Sequence, residues 1–112
     1  MTVENNLLIK SIELLASTSD GQRRYLKQIG TFPSADELAL EFDDAYRPFI
    51  SQAEADFQNL IMIGLSKIDS LLNLYSDMKD KTIWSEEALD NIYWTEVRDT
   101  AISVLKELNV QR

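Results

Sequence analysis

Apolar residues recur at intervals of three and four along most of this chain, and that spacing constrains its fold more than any other feature. Residues three and four apart share one face of an α-helix, whereas a half-buried strand would alternate apolar and polar residues. The pattern predicts a helix over about 3–18 and a shorter helix that is capped by Ser19 or Asp20 and stops at Gly30. No strand pattern stands out. We therefore expect an all-α fold, a compact bundle of four or five helices with a long central helix, formed as a single domain by residues 1–112.

A third helix is predicted to begin at Ser34, after a turn made by residues 30–33. Ser34 and Glu37 have the spacing of a capping box, in which each side chain accepts a hydrogen bond from an amide at the start of the helix. The residues that share the apolar face of this helix are Leu38, Phe42, Ala45 and Phe49. Glu41 lies at the edge of that face, and the other carboxylates lie outside it, with Leu40 among them. The helix is therefore expected to present one apolar face to the core and one acidic face.

Proline and serine set the expected limits of the remaining helices. Pro48 lacks an amide hydrogen and disfavours helix at Arg47, so we expect the chain to break or kink there. Beyond the proline, an apolar stripe runs from Ile50 to Met78, and its middle, residues 60–65, is apolar all round. This predicts a central helix that its neighbours enclose. Ser85 is the expected cap of the last helix.

The chain has no histidine and no cysteine. It therefore has no imidazole base for neutral pH, no thiolate nucleophile and no ordinary zinc site, and we expect no catalytic residue and no cofactor. The lack of cysteine fits a reducing cytoplasm, where we expect the protein to act. The candidate metal ligands are carboxylates three residues apart, because such residues share one face of a helix. These pairs are Glu41 with Asp44, Glu87 with Asp90, and Glu96 with Asp99. Because most of these acids lie away from the apolar faces, we predict no metal site and rank a metal-dependent hydrolase last.

Negative charge is concentrated in one segment of the chain. The net charge is −8, and residues 35–56 carry one positive and seven negative side chains. Such a field attracts basic surfaces and repels phosphate backbones and anionic lipids, so we expect a basic protein partner, no nucleic acid and no membrane. No apolar run has the length of a membrane span. A basic cluster, Arg23, Arg24 and Lys27 beside Tyr25, is expected to balance the acidic segment through surface ion pairs.

These features favour a non-catalytic protein that acts by binding another protein. Its docking residues are expected on the acidic face of the third helix. Those residues are Glu37, Leu40, Glu41, Asp43 and Asp44. In size, charge and helix content the chain resembles bacterial immunity proteins of the colicin type, a likeness of class without a shared motif, which implies an inhibitor that covers the basic active site of a toxin. The remaining alternative is a structural or self-associating bundle. Its homodimer interface would be formed by Met62, Ile63, Leu65 and Leu74.

Overall fold

Five α-helices account for most of the computed structural model, which describes residues 3–30, 34–52, 59–85 and 87–111. The helices are α1 (Val3–Ala16), α2 (Ser19–Gln28), α3 (Asp36–Gln52), α4 (Asn59–Asp77) and α5 (Ile92–Gln111). Two short 3-10 helices, Lys81–Trp84 and Glu87–Asp90, lie between α4 and α5. The described residues contain no strand. The prediction of an all-α bundle of four or five helices is therefore confirmed.

The helices pack around one core of apolar side chains. Helix α1 lies against both α3 and α5, and α5 also packs against α4. Trp94, Tyr75 and Phe42 are the largest side chains that are fully buried in this core. Trp94 Nε1 donates to the carbonyl of Ile83 at 2.8 Å, and the Tyr75 hydroxyl donates to the carbonyl of Tyr93 at 2.8 Å. Because these bonds satisfy the polar ends of the two rings, both can be buried where α4, the first 3-10 helix and α5 meet.

The sequence predicts that the chain breaks or kinks at Arg47, but helix α3 continues through Pro48, so the predicted break is wrong. A proline inside a helix removes one amide donor and costs about 3 kcal/mol. Packing on both sides of the proline opposes that cost, because Phe42, Ala45 and Phe49 are all buried in the same core. Burial of one large apolar side chain stabilises a fold by about 1.5–3 kcal/mol. The apolar face of α3 thus outweighs the local preference of its proline.

Helix α5 begins at Ile92, so the prediction that Ser85 caps the last helix is wrong. Asn91 is the cap, because its Oδ1 accepts from the amides of Tyr93 at 3.0 Å and Trp94 at 3.2 Å. Ser85 Oγ accepts an amide hydrogen bond only from the second 3-10 helix. That extra turn separates the serine from the long helix.

The start of α3 also differs from the predicted capping box. The amide of Ala35 at 2.8 Å and the hydroxyl of Ser34 at 3.3 Å both donate to the carbonyl of Trp84. Trp84 is the last residue of the first 3-10 helix. The Ser34 side chain therefore connects α3 to a distant part of the chain, and this fixes where the acidic helix begins.

The predicted enclosure of residues 60–65 within α4 is wrong. Ile61 is buried, but Leu60 and Ile63 are 60% and 63% exposed. Helix α4 packs chiefly on α5, where a Cβ added to Gly64 would clash with Val104 Cγ2. The glycine therefore permits a close approach of the two helices, and the exposed Leu60 and Ile63 line an open pocket beside it.

Candidate binding groove beside helix α3

The five predicted docking residues fall on two separate sides of α3. Glu37, Glu41 and Asp44 follow one another at intervals of four and three residues and lie towards α1 and α2. Leu40 and Asp43 lie on the other side, where they line a smaller pocket against α4. The acidic face is therefore divided between two surfaces and does not form a single one.

A groove of about 510 Å³ lies between α1, α2 and α3, and we call it the α3 groove. Its walls are mostly apolar, with a few polar groups among them. Protein pockets that hold small ligands have the same character and volumes of about 300–1,000 Å³. The residues that line the groove are Leu7, Lys10, Ser11 and Leu14 from α1, Tyr25 from α2, and Glu41, Asp44 and Ala45 from α3.

A hydrogen bond from the Tyr25 hydroxyl to Glu41 Oε1 joins α2 to α3 at the wall of this groove. The bond to a carboxylate, together with burial and the negative charges of Glu41 and Glu37, raises the pKa of Tyr25 to about 12. Tyr25 therefore remains protonated at neutral pH and can donate to the carboxylate. Glu41 Oε2 is buried and has no hydrogen-bond partner among the described residues. One carboxylate oxygen at the groove thus retains an unused capacity to accept.

Helix α3 carries more negative charge than its ion pairs balance. Its single basic residue, Arg47, contacts Asp43 at 2.9 Å and Asp69 of α4 at 3.1 Å. With five acidic residues and one basic residue, the helix has a net charge of −4. Four of its carboxylates form no ion pair with any residue that the structure describes, and these are Asp36, Glu37, Glu41 and Asp44.

Three of the six carboxylates considered as metal ligands, Glu41, Asp90 and Glu96, have other contacts. Asp90 is exposed and lies 2.6 Å from Arg23. A hydrogen bond with Ser19 and the contact with Arg23 lower the pKa of Asp90. Glu96 lies 3.9 Å from Lys67. Within the described ranges, no three acidic side chains come together in a group that could hold a metal ion.

The basic cluster on α2 is connected to the acidic helix in a way that the sequence did not predict. Arg23 forms ion pairs with Asp20 and Asp90, and both of these acids lie outside residues 35–56. The hydrogen bond from Tyr25 to Glu41 is what reaches α3. At this contact with α3, the α2 cluster supplies a neutral donor.

Sequence reasoning missed Tyr25, Leu7 and Leu14 as residues of a site. They belong to α1 and α2, and no local pattern indicates which sides of these helices lie beside α3. The usable signal was the position of Glu41 at the edge of the apolar face of α3, where a carboxylate becomes half-buried. A half-buried acid needs a donor nearby, but its identity depends on packing.

The residues predicted for a dimer interface do not share one surface. Leu65 is buried in the core, and Met62 packs partly against it. Ile63 and Leu74 are 63% and 57% exposed. An interface that includes Leu65 is therefore excluded by its burial, and only the two exposed residues of that set are accessible.

The fold and the site together define a small all-α bundle with an acidic helix and a half-open groove beside it. No protein-family model matches the chain, and no curated protein or solved structure is detectably similar to it. None of the described helices is long and apolar enough to cross a membrane.

Proposed function

We propose that this chain is a non-catalytic protein that binds a basic protein partner on helix α3. The observation that carries the proposal is the uneven charge of α3, where four carboxylates form no ion pair with a described residue. Unbalanced charge on one side of a protein steers an oppositely charged partner and selects it against others. The same field disfavours nucleic acid and anionic membranes.

An exposed apolar side chain supports docking at this helix. Leu40 is 50% exposed and lies between the Asp36 and Asp44 turns of α3. Interfaces commonly combine an apolar anchor with a polar rim, and the anchor supplies much of the affinity. Asp43 contributes less to a partner than the other predicted residues, because Arg47 already contacts it. The proposed docking residues therefore extend across α3, with Leu40 on the side of α4 and the acidic groups Glu37, Glu41 and Asp44 on the side of α1 and α2.

A sharper form of the proposal is an inhibitor of the bacterial immunity type, acting in the cytoplasm. A small acidic domain would cover the basic active site of a toxin and would need no chemistry of its own. The net charge of −8, the helical fold and the lack of histidine and cysteine support this form. A nuclease is the suitable class of toxin, because enzymes that bind phosphate backbones present basic surfaces.

The test uses two charge reversals that differ only in position. Asp44→Lys and Asp99→Lys each replace an exposed aspartate within a helix, and each changes the net charge from −8 to −6. Partners are captured from an extract of the source organism, identified, purified and measured by calorimetry. We expect a basic partner whose affinity falls at least about tenfold with Asp44→Lys and much less with Asp99→Lys.

A second matched pair tests the apolar anchor. Leu40→Ala should weaken the same partner at least about fivefold, whereas Leu74→Ala, which truncates a similarly exposed leucine of α4, should not. If Asp44→Lys weakens binding no more than Asp99→Lys, and Leu40→Ala no more than Leu74→Ala, the partner does not dock on α3. Capture of proteins that are not basic would also contradict the proposal.

A further inference from the structure

We propose that the α3 groove is a ligand site for a small organic cation, a protonated amine carried on an apolar body. Three features of the groove support this assignment: its volume, its apolar walls and the unused oxygen of Glu41. The proposal goes beyond docking of a protein on α3, because it concerns the space between three helices, although Glu41 and Asp44 belong both to this space and to the proposed docking residues.

The walls of the groove suit an apolar body. Leu7 and Leu14 of α1 face Ala45 of α3 across it, and its volume of about 510 Å³ lies within the usual range for small-ligand sites. Leu7 is 55% exposed in the described structure, so a ligand that covers it removes apolar surface from water. An aliphatic or aromatic group would be held here without a specific polar contact.

The carboxylate of Glu41 selects the charge of the ligand. Tyr25 satisfies Oε1, whereas Oε2 is buried and has no donor among the described residues. A buried acceptor without a partner is unfavourable, so a ligand that brings a donor recovers a bond that the protein alone does not make. The terminal torsion of a glutamate is broad, so a partial rotation can turn Oε2 towards the groove while Oε1 stays within reach of the Tyr25 hydroxyl. An ammonium group is a suitable donor because hydrogen bonds between opposite charges are the strongest.

The other polar groups of the groove mostly agree with a cation. Asp44 lies one turn from Glu41 and forms no ion pair with a described residue. Ser11 donates its hydroxyl hydrogen to the carbonyl of Leu8 at 2.7 Å, so this hydrogen is already used. Lys10 is exposed at the rim and opposes a positive ligand. Two carboxylates against one ammonium leave the groove negative.

The first experiment compares three probes of the same length. Hexylammonium, hexanol and hexanoate are titrated into the full chain at neutral pH, with binding followed by NMR shifts of groove residues. We expect hexylammonium to bind at least about tenfold more tightly than hexanol, because only the amine gains the bond to Glu41. Hexanoate should bind most weakly. Equal binding of hexylammonium and hexanol would overturn the assignment of Glu41 as the recognition group.

Variants then locate the site. Glu41→Gln keeps an acceptor for Tyr25 but removes the charge, and it should weaken hexylammonium about tenfold. Glu13→Gln makes the same change at an exposed position of α1 outside the groove and should have no effect. Lys10→Gln should strengthen binding a few-fold by removing a like charge. Unchanged binding in Glu41→Gln, with thermal unfolding showing an intact fold, would contradict the proposal.

A last probe separates a small ligand from a side chain of a partner. A blocked lysine, N-acetyl-lysine methylamide, presents the same ammonium on a peptide backbone. We expect it to bind more weakly than hexylammonium, because burial of its two amide groups against the apolar walls of the groove is unfavourable. Tighter binding of the blocked lysine would mean that the groove receives a lysine of a protein partner, and the small-ligand assignment would be wrong.

Discussion

Arg98 of α5 donates from Nη2 to Oε1 of Gln22 in α2 at 3.0 Å. The same guanidinium donates from Nε to the carbonyl of Ser17 at 2.8 Å and from Nη2 to the carbonyl of Leu89 at 3.0 Å. Gln22, which is 1% exposed, donates in turn to two carbonyls near the end of α1 at 3.1 Å. Carbonyls at the ends of helices have no partner within the helix, so this pair of side chains satisfies them where α1, α2 and α5 meet.

Replacement of Arg98 by lysine should destabilise the fold, although the charge is kept. Arginine presents its donors in a rigid fork, whereas one ammonium cannot reach three acceptors in different directions. Buried acceptors without a partner cost about 1–3 kcal/mol, and we expect that loss in the free energy of unfolding measured with urea. Arg24→Lys, at an exposed position of α2, should change the value by less than about 0.5 kcal/mol. Similar losses in the two variants would contradict the role given to Arg98.

Truncation of the Asn91 cap should also reduce stability. The Asn91→Ala variant leaves the amides of Tyr93 and Trp94 without their acceptor and should cost about 1 kcal/mol. Ser85→Ala should cost less, because Ser85 bonds only to a 3-10 helix. Asn73→Ala, at an exposed position of α4, is the control for loss of an asparagine side chain and should be near neutral. A larger cost for Ser85→Ala than for Asn91→Ala would place the start of the long helix where the sequence pattern puts it.

The two caps show which parts of the fold could be predicted from sequence. Helical spacing is a local property, and it correctly predicted an all-α bundle. The choice between Ser85 and Asn91 is not local, since both residue types are good caps. Arg98 bonds to the carbonyl of Leu89, which lies between the two candidate caps, and this contact from α5 favours a short turn there before the long helix. The sequence around Ser85 contains no sign of that contact.

In the candidate site, too, the features that local helix geometry sets could be predicted, whereas the contacts between helices could not. The sequence correctly placed acids outside the apolar face of α3 and Glu41 at its edge, because both follow from helical geometry. It did not show that Glu41 and Asp43 lie towards different helices, nor that Tyr25 approaches Glu41. These facts depend on how α1, α2 and α4 pack around α3. Pro48 was misjudged for the same reason, since the buried neighbours that hold it in a helix come from the tertiary fold.

The close approach of α4 and α5 at Gly64 gives a third prediction. A methyl group on Gly64 would clash with Val104 Cγ2, so Gly64→Ala should destabilise the fold by about 1–3 kcal/mol, although alanine is the better helix former. Val104→Ala alone should also destabilise, because it removes buried methyl groups. The double variant should be more stable than the sum of the two losses predicts, because the smaller side chain makes room for the added methyl. Simple additivity in denaturant unfolding would show that the two residues do not meet.

The last prediction concerns the dependence of stability on alkaline pH. Tyr25 and Tyr75 have pKa values raised to about 12 from an ordinary value of 10.0, Tyr25 chiefly by its hydrogen bond to Glu41 and Tyr75 chiefly by burial. The folded state therefore holds both protons more tightly than the unfolded state does. Their contribution to stability is complete below pH 10 and is lost as the pH rises towards 12.

The Tyr25→Phe variant separates the two contributions. It should be less stable than the wild type at neutral pH, because Glu41 loses its donor. Between pH 10 and pH 12 its free energy of unfolding should fall less steeply than that of the wild type, because one of the two raised pKa values has been removed. Tyr75→Phe should reduce the slope in the same way while leaving the Tyr25 bond intact. A Tyr25→Phe curve parallel to that of the wild type would mean that Glu41 does not hold the Tyr25 proton, and the α3 groove would then lack the fixed carboxylate on which recognition of a cation depends.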